Sequence, residues 1–329
     1  MKLSDLLQKA KTELKSVSHQ AYQESLWILS HTLNLPAHQV YLDKMSITQK
    51  QEEEFWLKIK QRKQAVPLEY ILKEKFFLGH KFYVENPVFI PRPETETLIE
   101  WACKNISKNT PLKFADFGAG VGPIALSILS YFPNSEGVAI ELHPKSIECL
   151  KKNSLNLKLQ DRLYILKKDV SNIQPEDLCR LYLKIQKDSH SRENENSHPR
   201  KSENSHSRAS ENSQNSTQDD KFSVRLPDLI TANPPYLDPK DKSIQPEVYL
   251  YESPLALFSD KKGLGHIISW FEKAIKLLKP RGIYIFEFAW NQKKQITEFL
   301  NSQTKINSYQ ILKDSLGYPR IAVCFKKNL

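Results

Sequence analysis

Cysteine is scarce in this sequence, with four residues among 329. None of the four lies in a Cys-x-x-Cys pair or has a histidine at ligand spacing, which indicates neither a zinc site nor a disulfide framework. Long apolar runs are also lacking, since no stretch approaches the roughly 20 residues that a membrane-spanning helix needs. Residues 1–15 carry charges throughout, unlike the apolar segment of a signal peptide. We therefore expect an untargeted cytoplasmic protein with no metal and no membrane partner.

Acidic residues are the minority among the charged ones. The chain has 48 Lys and Arg against 38 Asp and Glu, which gives a formal net charge of +10. Such an excess indicates an acidic partner such as nucleic acid or a ribonucleoprotein, or equally a surface rich in solubilising lysines. The 40% apolar composition is enough for the core of one large domain or two unequal ones.

The first part of the chain has helical periodicity. Apolar residues recur at helical spacing from Leu3 to Val17 and again from Ala21 to Leu33, and Thr48 with Gln51 resembles a capping box that opens a third helix. No catalytic pattern accompanies these helices. We therefore predict a small helical substrate-recognition domain over residues 1–75.

A hairpin and a rigid segment follow. Aromatic and β-branched residues on both sides of Gly79 predict a hairpin linker over residues 76–88, and residues 89–329 form the second domain. Near its start, Arg92 stands between two prolines, with Glu94 two residues further on. These residues supply either the entry of a helix or a wall of the active site, and the motifs downstream favour the wall.

A glycine-rich loop joins a strand to a helix in the second domain. The short buried-strand pattern Lys113–Phe117 leads into a Gly-x-Gly-x-Gly loop. A strand, glycine loop and helix in this order form the nucleotide-binding corner of a doubly wound sheet, although the spacing departs from the dinucleotide fingerprint. The next strand ends on Glu141, where a carboxylate could accept both ribose hydroxyls. A third strand ends near Asp169, which could accept from an adenine amino group or be a solvated loop acid. The loop residues are Gly118, Ala119, Gly120, Val121 and Gly122.

Residues 187–220 differ sharply in composition from the rest. Their only aliphatic residue is Ala209, and an eight-residue unit containing Glu-Asn-Ser recurs three times. Such a segment buries too little surface to offset the entropy of ordering it, so we predict a disordered insertion. It holds five Lys and Arg against seven Asp and Glu, which leaves about +12 on the remainder. The basic charge therefore belongs to the folded part.

The apolar run Leu229–Ile230 soon reaches Asn-Pro-Pro-Tyr, residues 233–236. Two prolines end a strand because they remove ladder donors, and the carbonyl groups stay rigidly placed. The side-chain oxygen of Asn233 and the carbonyl of Pro234 could accept both hydrogens of one NH2 group, while Tyr236 offers a ring to a planar substrate. A rigid turn at a strand end is the equally weighted alternative on this tetrapeptide alone.

The remaining chain completes an α/β domain. A periodic helix over residues 265–279 precedes the strand Ile283–Phe288, and two further strands, around residues 309–312 and 320–325, read as a closing antiparallel pair. A mostly parallel sheet that ends in such a pair is typical of class I, Rossmann-like, methyltransferase domains.

Together, the Pro-Arg-Pro-Glu-Thr segment around Arg92, the glycine loop and Asn-Pro-Pro-Tyr, in this order behind a helical domain, resemble the HemK/PrmC family of peptide chain release factor glutamine methyltransferases. The resemblance implies S-adenosylmethionine as methyl donor. It implies as substrate the glutamine of the Gly-Gly-Gln motif of class 1 release factors, methylated at its side-chain nitrogen N5. The family often has Asp where Glu141 stands and an aromatic residue where Val170 stands, so this chain departs from it there.

The resemblance also implies roles for residues. The catalytic group would be Asn233, Pro234 and Tyr236; the cofactor would contact residues 118–122, Glu141, Asp169, Val170 and Asn233; the substrate would contact Asn233, Pro234, Pro235, Tyr236, Arg92 and Glu94. We expect a monomer with no direct nucleic-acid substrate. Two alternatives stay open: an adenine N6 methyltransferase that acts on DNA or RNA, and a catalytically silent ribosome-associated binding module.

Overall fold

A computed structural model describes residues 2–41, 46–184, 226–241 and 244–328. The insertion expected at 187–220 lies outside these described residues. The chain divides into two compact units. The first comprises Met1–Phe76, Lys81–Ile90 and Lys242–Pro254, and the second comprises Phe77–His80, Pro91–Asp241 and Leu255–Leu329.

The first unit is mainly helical, as the periodicity predicts. Helix α1 (Leu3–Leu14) buries its apolar stripe, and helix α4 (Gln49–Lys63) buries Phe55 and Ile59. The predicted capping box opens α4: the Thr48 hydroxyl accepts from the Gln51 backbone N–H, and the Gln51 side chain accepts from the Thr48 N–H. The other helices here are α2 (Ala21–Leu33), α3 (Ala37–Tyr41) and α5 (Leu68–Leu72).

Residues 242–254 belong to this first unit although they are far from it in sequence. The buried carboxylate of Glu252 accepts a hydrogen bond from the Ile90 N–H at 3.2 Å, and the Ser253 N–H donates to the Pro87 carbonyl at 2.8 Å. The Tyr251 hydroxyl donates to the Gln64 carbonyl. Each of these bonds joins residues that are far apart in sequence, so no local sequence pattern predicts it.

The predicted hairpin is formed by β1 (Glu74–Phe77) and β2 (His80–Tyr83). Its turn consists of Leu78 and Gly79, whose φ angles are 45° and 76°. A left-handed turn of this kind fits the twist of a two-residue hairpin, and glycine adopts it without steric cost.

The second unit contains a seven-stranded sheet in the order β5-β4-β3-β6-β7-β9-β8. Strands β3 to β7 run parallel, and β9 and β8 close the sheet antiparallel, as the sequence predicts. This is a Rossmann-like α/β sheet with an antiparallel pair at one edge. Its strands are β3 (Lys113–Phe117), β4 (Glu136–Glu141), β5 (Leu163–Lys167), β6 (Leu229–Ala232), β7 (Ile283–Glu287), β8 (Ile306–Lys313) and β9 (Pro319–Lys326).

Helices cover the sheet, and its central strands β3 and β6 are buried almost throughout, as expected for parallel strands with helices on both faces. The helices that follow along the chain include α6 (Glu96–Asn105), α7 (Pro123–Tyr131), α8 (Pro144–Asn156), α9 (residues 175–184), α10 (Pro246–Tyr251), α11 (Pro254–Leu257), α12 (Gly265–Leu277) and α13 (Lys293–Asn301). Of these, α10 belongs to the first unit, and a short helix, Asp260–Gly263, precedes α12.

The register of the parallel strands brings four residues to one edge. Phe117 of β3 lies opposite Ile140 of β4 and Ala232 of β6, and Ala232 lies opposite Phe286 of β7. The next residue on each strand therefore falls at the carboxyl end of the sheet, where ligands bind in open α/β folds. From β4 to β7 these residues are Glu141, Gly118, Asn233 and Glu287.

No helix among the described residues is long and apolar enough to cross a membrane. Across the same part of the chain, no three His, Cys, Asp or Glu side chains are grouped so that they could hold a metal ion.

Candidate active site

The glycine loop after β3 has three glycines with left-handed backbone, and they differ in what surrounds them. The φ angles of Gly118, Gly120 and Gly122 are 65°, 57° and 91°. A β-carbon on Gly118 would meet the indole of Trp270, and one on Gly122 would overlap Leu150, whereas one on Gly120 would have no atom within 4 Å. Packing and backbone conformation therefore require the outer two glycines, and the middle glycine leaves open space beside the loop.

Glu141 ties this loop to the end of β4. One carboxylate oxygen accepts from the Gly120 N–H at 2.7 Å, and the other accepts from the N–H groups of Leu142 and His143, both at 2.8 Å. A carboxylate has about four acceptor sites, so these three bonds leave capacity for a ligand hydroxyl. The structure places Glu141 beside the glycine loop, and its role toward ribose stays a prediction.

Beneath the loop, Asp116 of β3 is fully buried. Its two oxygens accept from the Thr231 hydroxyl at 2.8 Å and from the Ala125 N–H at 3.2 Å, so it joins β3, β6 and the first turn of α7. Burial raises the pKa of Asp116 to about 7, an effect that the Thr231 and Ala125 hydrogen bonds oppose and the nearby Glu141 reinforces.

Asn233 follows β6 and is anchored through the nitrogen of its side chain, which donates to the Thr95 hydroxyl at 3.1 Å. Among the described residues, nothing donates to its side-chain oxygen or to the backbone carbonyl of Pro234. Pro234 and Pro235 are buried, while Asn233 is partly exposed. The pair of acceptors that the sequence predicts is thus present without a donor from the described chain.

Tyr236 is fixed at both its hydroxyl and its carbonyl. The hydroxyl donates to the fully buried carboxylate of Glu287 at 2.8 Å, and the carbonyl accepts from the Gln292 side chain at 3.1 Å. Gly263 lies so close to this carbonyl that a β-carbon there would overlap it. Burial and the neighbouring Glu287 raise the pKa of Tyr236 well above its ordinary value, so it stays neutral. The ring is therefore held in one place and cannot act as a base at neutral pH.

Glu287 is a second anchor point of the site. Its other oxygen accepts from the Thr95 hydroxyl at 2.6 Å, so one carboxylate holds both Thr95 and Tyr236. Burial raises the pKa of Glu287, against the opposing effects of these two hydrogen bonds and of the positive charge of Arg320; Glu94 adds to the rise.

The other predicted site residues occupy different settings. Asp169 accepts from the backbone N–H and hydroxyl of Ser171 and so caps a short 3-10 helix. Val170 is 4% exposed and packs in the core. Arg92 and Glu94 are both partly exposed. The roles of these four residues toward ligands stay predictions.

Sequence reasoning missed several residues that shape the site: Thr95, Glu287, Trp270 and Gln292. A signal existed for Glu287, because an acidic residue ends an otherwise apolar strand in the sheet and a buried carboxylate needs partners. Trp270 fits the apolar stripe of α12, so its position against Gly118 has no signal in periodicity.

The chemistry of this sheet edge fits S-adenosylmethionine. The space beside Gly120 admits a ligand, Glu141 supplies a carboxylate at a strand end, and Asn233 supplies an acceptor next to the loop. The fold and site define an S-adenosylmethionine-dependent methyltransferase.

Comparison with known proteins specifies the family. Residues 5–72 match the PrmC N-terminal domain. The chain is 30% identical to a release factor glutamine methyltransferase of Flavobacterium psychrophilum, over 79% of this chain and 76% of that protein. It is 25% identical to the protein of that name from Clostridium acetobutylicum over the full length of both. Among solved structures it resembles M. jannaschii TYW2 in complex with AdoMet, with 13% identity, a TM-score of 0.43 and coverage of 78% and 86%. The chain belongs to the release factor glutamine methyltransferase family.

Proposed function

We propose that this enzyme methylates the side-chain nitrogen N5 of the glutamine in the Gly-Gly-Gln motif of class 1 peptide chain release factors. The observation that carries the proposal is the pair of acceptors, the Asn233 side-chain oxygen and the Pro234 carbonyl, to which no described residue donates. Two acceptors on consecutive residues match in number the two hydrogens of a carboxamide. The names of the relatives supply the substrate class. A monomeric, cytoplasmic enzyme with no nucleic-acid substrate belongs to the same proposal.

The reaction makes a particular demand on the protein. A carboxamide nitrogen is a weak nucleophile because its lone pair is delocalised into the carbonyl group. S-adenosylmethionine, when bound, supplies an electrophilic methyl group on a sulfonium. The residues that would hold it are the loop Gly118–Gly122 and Glu141, with Asp169, Val170 and Asn233.

The chain's own contribution is then orientation. Hydrogen bonds from the substrate NH2 to Asn233 and Pro234 would fix the nitrogen and stabilise the positive charge that develops on it. Tyr236, neutral and held at both ends, would provide a wall for the planar amide, and Arg92 with Glu94 would border the substrate. The excess proton can leave to water after transfer, so no strong base is required.

The direct test incubates the protein with methyl-labelled S-adenosylmethionine and, in parallel, a purified class 1 release factor, the same factor with its motif glutamine replaced by alanine, DNA and RNA. We expect label on the peptide that contains Gly-Gly-Gln and none on the substituted factor. Label on adenine in DNA or RNA would favour the adenine N6 activity instead. Absence of transfer to every substrate, with cofactor bound, would favour the silent binding module.

A further inference from the structure

A chain of hydrogen bonds runs from the motif into the protein interior. The Asn233 side-chain NH2 donates to the Thr95 hydroxyl at 3.1 Å, and the Thr95 hydroxyl donates to Glu287 at 2.6 Å. Thr95 is 2% exposed and Glu287 is fully buried. Thr95 comes from the segment before α6, Asn233 follows β6, and Glu287 ends β7, so three distant parts of the second unit meet here.

The chemistry of these groups fixes which group donates and which accepts along this chain of hydrogen bonds. An ionised carboxylate only accepts, and a threonine hydroxyl has a single proton. Once Thr95 has donated that proton to Glu287, its oxygen can only accept, and the Asn233 side chain can satisfy it only with its NH2 end. The carbonyl end of the Asn233 amide must then point away from Thr95.

We propose that Glu287 is a positioning residue that acts through Thr95 to fix which end of the Asn233 amide faces the substrate. The proposal rests on the proposed function, in which the Asn233 oxygen accepts from the substrate amide. A neutral group at position 287 can donate to Thr95. Thr95 is then free to donate to Asn233, which stabilises the reversed amide with its NH2 end toward the substrate NH2.

The same carboxylate holds the other end of the motif. Tyr236 donates to the second oxygen of Glu287 at 2.8 Å. One ionised group thus positions both Asn233 and Tyr236, and loss of its charge disturbs the orientation of the acceptor and of the ring together.

The groups around Glu287 set when it is charged. Arg320 on β9 favours the ionised form, and Glu94 together with burial opposes it, so the pKa of Glu287 is raised. The positive charge of Arg92 opposes the rise in the pKa of the neighbouring Tyr236. As the pH falls through the raised pKa of Glu287, the carboxylate gains a proton, and the hydrogen bonds from Asn233 through Thr95 no longer have a fixed donor-to-acceptor direction. The methyl-transfer rate should therefore fall as the pH drops through that pKa.

Glu287→Gln, Thr95→Val and the double variant test the proposal by single-turnover methyl transfer, calorimetric cofactor affinity and thermal unfolding. We expect each single variant to lose on the order of 10²-fold in rate, the scale for one preorganised hydrogen-bonding group. Cofactor affinity should fall less than the rate, since Asn233 is the only proposed cofactor contact that this hydrogen-bond chain positions. The double variant should be no slower than the slower single variant, because both act through Asn233. Glu287→Gln should also lose the acid-side fall in rate.

Thr95→Ser keeps the hydroxyl and is the matched control, expected to restore most of the rate lost in Thr95→Val. Additive losses in the double variant, or a Thr95→Ser enzyme as slow as Thr95→Val, would overturn the proposal. If Glu287→Gln does not fold, the Val and Ser variants at position 95, which leave the carboxylate in place, decide the matter.

A measurement without substrate separates this proposal from the proposed function. Selective ¹⁵N labelling of asparagine, with Asn233→Asp to assign the signal, reports the side-chain NH2 of Asn233. We expect its proton resonances to shift in Glu287→Gln, and unchanged resonances would overturn the positioning role. A wild-type enzyme that methylates no release factor would instead overturn the proposed function and leave the resonance result standing.

Discussion

The indole of Trp270 lies directly against Gly118, where a β-carbon would approach its Cη2 atom to 2.6 Å. This contact shows that a glycine in a cofactor loop can be required by the protein's own packing. Gly120, two residues on, has the same left-handed backbone but no neighbour within 4 Å of that position. Substitutions can therefore distinguish a glycine that packing requires from a glycine that leaves space beside the loop.

Gly120→Ala and Gly122→Ala should differ in effect. Both place a side chain on left-handed backbone, which costs about 1–2 kcal/mol. Gly122→Ala also overlaps Leu150, so we expect the larger fall in melting temperature there. Gly120→Ala should lose less stability but bind the cofactor at least ten-fold more weakly, because the new methyl group occupies the space beside the loop. Thermal unfolding and calorimetry measure both, and wild-type cofactor affinity in Gly120→Ala would contradict this assignment.

Glu141→Ala should weaken cofactor binding. A hydrogen bond to a charged group contributes about 1.5–3 kcal/mol, so the dissociation constant should rise by roughly 10- to 100-fold. The loop also loses the acceptor for the N–H groups of Gly120, Leu142 and His143, so a modest fall in melting temperature should accompany it. Glu141→Gln keeps an acceptor oxygen, so its cofactor affinity should lie between those of the wild type and Glu141→Ala. Unchanged affinity in Glu141→Ala would remove this residue from the cofactor site.

Asn233→Ala should lower the single-turnover methylation rate by on the order of 10² or more, because the substrate amide is then held from one side only. Asn233→Asp keeps the shape and an acceptor oxygen, so it should retain more activity than the alanine variant if positioning dominates. Cofactor affinity should fall less than the rate in both. A wild-type rate in Asn233→Ala would contradict the assignment of this motif as the part of the site that binds the substrate amide.

Asp116 should make stability depend on pH. Its pKa is about 7 in the folded protein against an ordinary value of 3.8. The folded state therefore holds a proton that the unfolded state loses above about pH 4, so this group's contribution to stability is full at acid pH and falls as the pH rises to about 7. In the Asp116→Asn variant this loss should disappear. Its melting temperature relative to wild type should rise between pH 4 and 7 and then level off; a difference independent of pH would mean that Asp116 is ionised throughout.

Patterns along the chain predict most of the fold. The capping box at Thr48, the hairpin around Gly79 and the strand–loop–helix at Gly118 are all local arrangements of a few residues, and the structure has each of them. The order of the motifs also predicts the family, because proline restricts the backbone and glycine is needed where the backbone is left-handed or closely approached.

Sequence patterns do not predict the contacts between distant segments. Thr95 precedes Asn233 by 138 residues and Glu287 by 192, and their hydrogen bonds depend on strand register and side-chain direction rather than on spacing. The grouping of residues 242–254 with the first unit likewise involves bonds between residues far apart in sequence, among them the one from the Ile90 N–H to the buried carboxylate of Glu252. A polar residue in an apolar context is the one local sign of such contacts, and it reveals a need for partners without naming them.

Asp228, the residue just before β6, makes hydrogen bonds that hold the start of this strand. The Asp228 N–H donates to the Lys113 carbonyl at 2.7 Å, the Asp228 carboxylate accepts from the Lys113 N–H at 2.8 Å, and the Asp228 carbonyl accepts from the Ile283 N–H at 2.9 Å. These three hydrogen bonds of Asp228 hold the start of β6 between β3 and β7. Asp228 thereby contributes, from outside the strand, to the register that places Asn233 beside Gly118 at the opposite end of β6.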